Sequence, residues 1–304
     1  MSIRSHSMRE SRSHTEAEIG SQPPVWEQAA AVGRARGRQL LGRGRALVLG
    51  CGTSAFVAEV VAHLREAAGV GETDAAFASE VPRHRRYDHV IAISRSATTT
   101  EVLDALSRVQ GPARRVGITA VPEPMNEAFA ALVDELFVLD FADESSVVQT
   151  RFPTAQIALV RAALGDTTDF AALATDALAA TLPELGDFQH FVYLASGSAM
   201  GLAHEAALKM REMAQVWSES HLALDYRHGP IAVAGERSLI QLFGPAPFGL
   251  VDELRSTRAT VIADERDPLG QLVVAQRIAL AMCEARGLDP DRPHRLTRSV
   301  VLNH

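Results

Sequence analysis

Four side chains capable of proton transfer lie within one short stretch of the chain. Glu205, Lys209 and Glu212 follow each other at helical spacing, and His228 comes shortly after them. Residues three and four positions apart share one face of a helix, so the two carboxylates and the amine are expected side by side. A carboxylate beside a cation can act as a tuned base, and an imidazole exchanges protons near neutral pH. The stretch therefore predicts proton-transfer chemistry.

Lysine usage separates this interpretation from a simpler one. Carboxylates and amines at helical spacing usually form a solvated face with ordinary ion pairs. Lys209, however, is the single lysine of the chain, and every other strong cation is an arginine. An ammonium is a compact cation whose pKa can be tuned, whereas a guanidinium stays charged. The lone lysine on this face therefore favours a chemical role.

The element that carries these groups is predicted as one long helix from about Met200 to Val216. It follows an apolar strand and the small-residue turn Ser196–Ser198. The segment beyond the helix is expected to be polar and irregular, holding Glu219 and ending at His228.

Strands and helices alternate along the whole chain, with apolar runs such as Arg45–Gly50 bounded by small residues. This alternation predicts an α/β protein of two tandem doubly wound parallel-sheet domains of flavodoxin-like type, related by internal duplication. The expected organisation is a flexible N-terminal tail over 1–24, a first domain over 25–165 and a second domain over 166–304.

A hydroxyl-rich turn follows the predicted strand His89–Ile93. Five hydroxyls crowd into Ser94–Thr100 just before a helix, although helix capping needs only one. The free amides and positive dipole at a helix start favour a phosphate. Thr53 and Ser54 follow a neighbouring strand and would face the same crevice. We expect a small phosphorylated metabolite here, since the glycine-rich fingerprints of nucleotide-binding loops are absent from the sequence.

Composition limits the classes of partner. The formal charge of −7 argues against a nucleic-acid binder. Arginines cluster at 34–45 and 83–86 without interleaved aromatic residues, and we interpret the clusters as a solvated helix face and a strand end. No apolar run is long enough to span a membrane, and the N-terminus lacks the apolar core of a signal peptide. No nucleic-acid or membrane partner is expected.

Cysteine and histidine spacing gives no metal site. The two cysteines, Cys51 and Cys283, are too far apart in sequence to suggest a disulfide framework, and a reducing cytoplasm is the expected compartment. His204, His221 and His228 lack the spacing of metal ligands. Neither a metal nor another cofactor is expected.

Several motifs together resemble the tandem sugar isomerase (SIS) domain family. The pattern is most like the isomerase half of glucosamine-6-phosphate synthase and the stand-alone AgaS-type sugar-phosphate isomerases and deaminases, and it extends from Glu16 to the C-terminus. The motifs are CGTS at 51–54, SRSATTT at 94–100, ESSVVQTRFPTAQ at 144–156, EAALKMRE at 205–212, RHGP at 227–230 and RLTRSV at 295–300.

The resemblance implies a role for each matching residue. Glu212 would move a proton between C1 and C2 of the open-chain sugar, and His228, contributed by the partner subunit of a homodimer, would open the ring. Lys209 would steady the charge of the enediolate. The residues implied to bind the phosphate or flank the sugar are Thr53, Ser54, Ser94, Ser96, Thr99, Val147 (through its backbone), Glu205 and Arg298.

Three departures from the family pattern stand out. Arg95 replaces a glutamine of the phosphate loop, where it could strengthen anion binding or face solvent. Gln149–Arg151 replaces a Ser-Thr-Lys turn, so a contact to a sugar hydroxyl is expected to be lost. Arg298 replaces the lysine with which the synthase forms an imine, and arginine cannot form one. The chain also lacks the glutaminase domain, so glutamine-dependent amino transfer is not expected.

Three functions remain open at this level. The first is an enzyme that isomerises a hexose phosphate, or deaminates a hexosamine 6-phosphate, by C1–C2 proton transfer. The second is a sensor that binds a sugar phosphate without turning it over. The third is an amino-transferring isomerase related to the synthase. The tail Thr297–His304 is expected to close over the ligand crevice.

Overall fold

Apolar strands of four to six residues build the first of two parallel sheets in the computed structural model, which describes residues 12–109 and 111–302. The strand order is β2-β1-β3-β4-β5, and every neighbouring pair is parallel. This order reverses direction between β1 and β3, the place where such sheets bind ligands. The strands are β1 Ala46–Gly50, β2 Thr73–Phe77, β3 His89–Ile93, β4 Arg114–Thr119 and β5 Glu135–Val138.

The second half of the chain repeats this arrangement in a smaller sheet. Its order is β7-β6-β8-β9, again with all neighbours parallel. The predicted fold class, two tandem doubly wound parallel sheets, is therefore confirmed. The strands are β6 His190–Ala195, β7 Trp217–Leu222, β8 Ser238–Leu242 and β9 Thr260–Ile262.

Helices connect the strands and cover both sheets. They are α1 His14–Gly20, α2 Gln22–Leu41, α3 Thr53–Ala67, α4 Thr100–Arg108, α5 Glu127–Ala130, α6 Arg151–Ala163, α7 Phe170–Ala179, α8 Met200–Lys209, α9 Leu250–Ser256 and α10 Pro268–Ala285. Two predictions about the central stretch are wrong. The α-helix ends at Lys209 and continues as a π-helical turn over Met210–Ala214, and the segment after it is the edge strand β7 rather than an irregular one.

One hydrophobic core joins the two halves. Side chains of α2, α3 and α6 share a buried cluster with those of α8 and α10. Gly201 makes the contact between α8 and α3 possible, because a Cβ there would lie 2.4 Å from the carbonyl oxygen of Phe56. Close packing of these two helices brings the end of α8 to the start of α3. The fold thereby joins the predicted proton-transfer groups to the first sheet.

The predicted flexible tail over 1–24 differs from the structure where the structure describes it. Residues 1–11 lie outside the described part, but α1 and the start of α2 are helical. Asp291 accepts hydrogen bonds from the backbone of His14 and Thr15, at 2.8 and 2.9 Å. Glu18 is buried and accepts from the backbone of Ser145 at 2.5 Å. Hydrogen bonds between residues so far apart in the sequence cannot be predicted from a local pattern.

Candidate active site

The end of α8 and the π turn after it present two carboxylates to one amine. Glu205 lies one turn before Lys209, and Glu212 lies within the π turn, where the wider helix fixes its direction. The Lys209 ammonium is 3.2 Å from the Glu205 carboxylate and 2.5 Å from that of Glu212. The side chain of Lys209 is fully buried, so these groups do not form a solvated surface.

The same ammonium reaches the first half of the chain. Lys209 donates to the Thr53 hydroxyl at 3.1 Å, and Thr53 is the first residue of α3. Its three partners match the three donors of an ammonium group. Ser54 follows in the same helical turn and is buried. The predicted amine, both carboxylates and one residue of the predicted phosphate-binding set thus meet at a single point.

Burial and charge act in opposite directions on this cluster. Desolvation raises the pKa of Glu205 to about 7, although Lys209 lowers it. Burial also opposes the charge on Lys209, but the two carboxylates outweigh it and the pKa of Lys209 is raised. Glu205 is 2% exposed as a side chain, whereas Glu212 is 19% exposed. Of the two carboxylates, Glu212 is the one a substrate can reach.

The hydroxyl-rich turn lies at the same edge of the first sheet. It follows β3, which neighbours β1 in register, so it adjoins the turn that leads into Thr53. Ser94 is buried and donates to the Thr99 hydroxyl at 3.4 Å. Ala97 in this loop adopts a φ of 58°, which residues other than glycine rarely adopt. The loop therefore offers hydroxyls and the N-terminus of α4 beside the switch point of the sheet.

The C-terminal tail lies across this loop. The Ser299 hydroxyl is 3.0 Å from that of Ser96 and 2.9 Å from that of Thr98. The amide of Thr100 donates to the carbonyl of Val300 at 3.3 Å, and the amide of Leu302 donates back to the Thr100 hydroxyl at 3.0 Å. The tail thus contacts the loop through residues up to 302; residues 303 and 304 of the predicted tail lie outside the described part.

Arg95 does not face solvent, which was one of the two arrangements expected for it. It is 3% exposed, and its guanidinium donates to three backbone carbonyls. These belong to Ser146 at 3.0 Å, Val147 at 3.1 Å and Arg298 at 3.2 Å. One buried cation therefore fixes the hydroxyl loop to the segment around Val147 and to the tail.

Arg298 occupies the position of the imine-forming lysine but binds elsewhere. Its guanidinium donates to the Asp143 carboxylate and to the backbone carbonyl of Glu144. Glu144 is buried, and its carboxylate accepts from the Thr150 hydroxyl at 2.7 Å and from the amide of Arg151 at 2.9 Å, at the start of α6. The turn Gln149–Arg151, which departs from the family pattern, is thus held by the Glu144 carboxylate. The sequence analysis included Glu144 in the motif at 144–156 but assigned it no role.

The structure does not bring His228 to the amine cluster. His228 is exposed at the end of a short 3₁₀ segment, Asp225–His228. Nearby apolar side chains are also exposed, with Leu224 at 60% and Val233 at 67%. The other two histidines of this stretch contact polar side chains. His204 lies 2.8 Å from the Ser220 hydroxyl, and His221 lies 3.4 Å from the Glu219 carboxylate.

Within residues 12–109 and 111–302, histidine, cysteine, aspartate and glutamate side chains form no group of three placed to hold a metal ion. In the same residues, every helix is too short or too polar to cross a membrane.

Comparison with known proteins gives consistent relatives. No protein-family model matches the chain. The glutamine–fructose-6-phosphate aminotransferase of Caulobacter vibrioides is 24% identical over 317 residues, covering 85% of this chain and 52% of that protein. The chain thus spans about half the length of the aminotransferases it matches. AgaS of Streptomyces coelicolor, assigned as a D-galactosamine-6-phosphate deaminase, is 27% identical over 355 residues, covering 92% of this chain and 91% of that protein.

Solved structures lead to the same group. Glucosamine-6-phosphate deaminase of Thermotoga maritima superposes with a TM-score of 0.80 at 26% identity, covering 95% of this chain and all of that one. The fold of this chain and the motifs described above are consistent with the relatives found by sequence. The homologues of this chain are thus the isomerase (SIS) half of glucosamine-6-phosphate synthase and the AgaS-type proteins, and its fold is the tandem SIS fold.

Proposed function

We propose that the chain is a sugar-phosphate isomerase or deaminase, and that it deaminates a hexosamine 6-phosphate to a keto-sugar phosphate and ammonia. The observation that carries the proposal is the buried Lys209 ammonium, which joins Glu212 to Thr53 at the switch point of the first sheet. A carboxylate and a cation are thereby held beside the turn that we propose binds the phosphate. That is the arrangement a C1–C2 proton transfer requires.

The phosphate would bind at the edge formed by the two turns of the first sheet. Ser54, Ser94, Ser96 and Thr99 supply hydroxyls there, and the start of α4 supplies amides and a positive dipole. The backbone of Val147, held in place by Arg95, would line the sugar. Ser299 already contacts Ser96, so the tail would either join the phosphate site or move when phosphate binds.

Glu212 would be the base, because it is the accessible carboxylate of the pair. In the open-chain amino sugar, it would remove the proton from C2 and a proton would return to C1. This gives an imine at C2 that water hydrolyses to the ketone and ammonia. Lys209 fixes the carboxylate by donating to it at 2.5 Å and places positive charge beside the developing enolate. Glu205, almost fully buried, would hold Lys209 rather than touch the sugar.

Two observations favour deamination over amino transfer. Arg298 stands where the synthase has its imine-forming lysine, and its guanidinium contacts Asp143. Lys209 is held by hydrogen bonds to Thr53 and Glu212 and by an ion pair with Glu205, which suits a charged ammonium better than an imine-forming amine. The nitrogen of the reaction is then the substrate's own. The two deaminases reported above cover nearly the whole chain, which agrees with this choice.

A homodimer would complete the site. His228 opens the sugar ring in this proposal, yet within one chain it is exposed and forms no hydrogen bond or ion pair with Lys209 or with either carboxylate of the cluster. The exposed Leu222, Leu224 and Val233 on the same segment offer an apolar surface for a second copy. His228 would therefore serve the site of the partner subunit.

The test is turnover of glucosamine 6-phosphate and galactosamine 6-phosphate by the purified chain, followed by ammonia and keto-sugar phosphate release. We expect Glu212→Gln to lower kcat by about 10²–10⁴-fold while sugar-phosphate binding, measured by thermal shift, is kept. Glu27→Gln, an exposed carboxylate on α2, is the matched control and should leave kcat unchanged. If both sugar phosphates bind and neither is turned over, the chain is a sensor and the proposed enzyme activity is wrong.

A further inference from the structure

A cavity of about 810 Å³ lies beside the first sheet, and none of its lining residues belongs to the amine cluster or to the hydroxyl turn. It arises from the connection between β2 and β3, which must cross β1 because of the strand order. Parallel crossovers are usually helical. Here residues 78–88 contain only one short 3₁₀ turn, Ala78–Glu80, and otherwise lack regular structure. The irregular crossover leaves a cleft between itself and α4, with Leu47 of β1 as its floor.

The rim of this cleft is strongly basic. Arg83, His84, Arg85 and Arg86 line it from the crossover, and Arg108 lines it from α4, whereas no carboxylate does. The sequence pattern predicted a strand end at 83–86, and that prediction is wrong. The whole chain carries a formal charge of −7, so the cluster concentrates positive charge on a negative molecule. Like charges packed around a concave surface attract an anion into it.

Part of this charge has no partner inside the protein. Arg85 pairs with Asp74 at 2.8 Å, and Arg108 pairs with Asp104 at 3.0 Å. The side chains of Arg83, His84 and Arg86 form no hydrogen bond or ion pair with any described residue. Two guanidiniums with free donors can bind phosphate oxygens in bidentate fashion.

The floor of the cleft is apolar. Leu47, Val81, Ala105 and Val109 line it, together with the ring of Tyr87. Tyr87 is fixed, since its hydroxyl donates to Asp74 at 2.7 Å. An inorganic anion would use only the rim, whereas a ring attached to phosphate groups would use both surfaces. The volume lies in the range of sites for small organic ligands.

We infer that this cleft is a second binding site, for a small organic molecule that carries two or more phosphate charges next to an apolar ring. It differs in chemistry from the proposed sugar-phosphate site, which offers hydroxyls and amides. Helix α4 connects the two, because Thr100 begins it at the hydroxyl turn and Arg108 ends it at the cleft, about 13 Å away. The inference does not depend on the proposed function.

Calorimetric titration of the full chain with ADP and with pyrophosphate tests the site. We expect ADP to bind at one site, more tightly than pyrophosphate, and more weakly as salt is raised. Arg83→Ala/Arg86→Ala should weaken ADP binding by about tenfold or more, because each removed guanidinium takes charge-assisted hydrogen bonds with it. Both side chains are exposed, so folding should persist; circular dichroism and the single variants check this.

Two control variants make the result decisive. Arg34→Ala/Arg292→Ala removes the same charge from exposed positions elsewhere and should leave ADP affinity within about twofold. Ser96→Ala changes the hydroxyl turn and should also leave it unchanged. The inference is overturned if ADP does not bind, if the control pair weakens binding as much as the cleft pair, or if Ser96→Ala alone abolishes it.

Discussion

Lys209 has its whole side chain inside the protein, and its three partners come from both halves of the chain. Breaking a buried ion pair costs more than its formation gains, because the remaining charge is left desolvated. The cluster is therefore fixed in geometry as well as in charge. A base must hold its position relative to C1 and C2 during proton transfer, and the buried Lys209 holds Glu212 in this way.

Glu205 should make stability depend on pH. Its pKa in the folded chain is about 7, against an ordinary value of 4.5, so the folded state binds this proton more tightly than the unfolded state does. The contribution of Glu205 to the free energy of unfolding is complete below pH 4.5. This contribution falls by up to about 3 kcal/mol as the pH rises towards 7. Urea unfolding at pH 5 and pH 7.5 should show this loss in the wild type.

Glu205→Gln isolates the effect, since glutamine does not titrate. The free energy of unfolding of the variant, relative to the wild type, should rise between pH 5 and pH 7.5. Titrating groups outside the cluster of Glu205, Lys209 and Glu212 contribute equally to both proteins and cancel. A difference that stays constant over this range would show that Glu205 is ionised throughout.

The residues of this cluster could be predicted, whereas the direction of Arg95 could not. Helical spacing alone placed Glu205, Lys209 and Glu212 on one face, and the structure brings them together. Arg95 is instead buried, because three carbonyls from distant parts of the chain accept hydrogen bonds from its guanidinium. Local sequence carries no signal for contacts at that distance.

The contact between α3 and α8 depends on one small residue. A Cβ on Gly201 would lie 2.4 Å from the Phe56 carbonyl and 2.7 Å from a methyl of Val60. We expect Gly201→Ala to cost about 1–3 kcal/mol in the free energy of unfolding and to lower turnover, since it moves Lys209 away from Thr53. Gly20→Ala on α1, where nothing lies within 4 Å, is the control. Equal effects of both variants would contradict the contact.

The tail should loosen when Arg95 is shortened. In Arg95→Gln, one amide replaces a guanidinium that donates to three carbonyls, so the tail loses its bond at Arg298. Hydrogen exchange of the Leu302 amide, which now donates to Thr100, should become about tenfold faster or more. Arg292→Gln, an exposed arginine, should leave it unchanged. Unaltered exchange in Arg95→Gln would mean that the tail is held by the hydroxyl turn alone.

Strand and helix positions could be read from the sequence in most of the chain, and β3 begins and ends as predicted. The exceptions lie around the site. The π turn after Lys209 has helical composition, so no local pattern marks it. Strand β7 was missed because it lies at the edge of the sheet and has an exposed Trp217 and several polar residues. Its regular structure comes from pairing with β6, which the local sequence does not reveal.

At the scale of the whole molecule, the proposed site needs two chains. Glu212→Gln and His228→Ala should each be inactive as purified dimers. If His228 serves the partner subunit, unfolding and refolding an equal mixture should return about a quarter of wild-type activity, since half of the dimers then contain one intact site. Refolded single variants are the control. Failure of the mixture to recover activity would place both residues in the same chain's site.

The central claim is that a sugar phosphate binds between the hydroxyl turn of the first half and the carboxylate–amine cluster of the second. A crystal structure of the Glu212→Gln variant with glucosamine 6-phosphate tests it most directly. We predict the phosphate within hydrogen-bond distance of Ser96 and Thr99, and the side chain of residue 212 about 3–3.5 Å from C1 and C2 of the sugar. A phosphate bound elsewhere, or a residue 212 that does not face those carbons, would contradict the account.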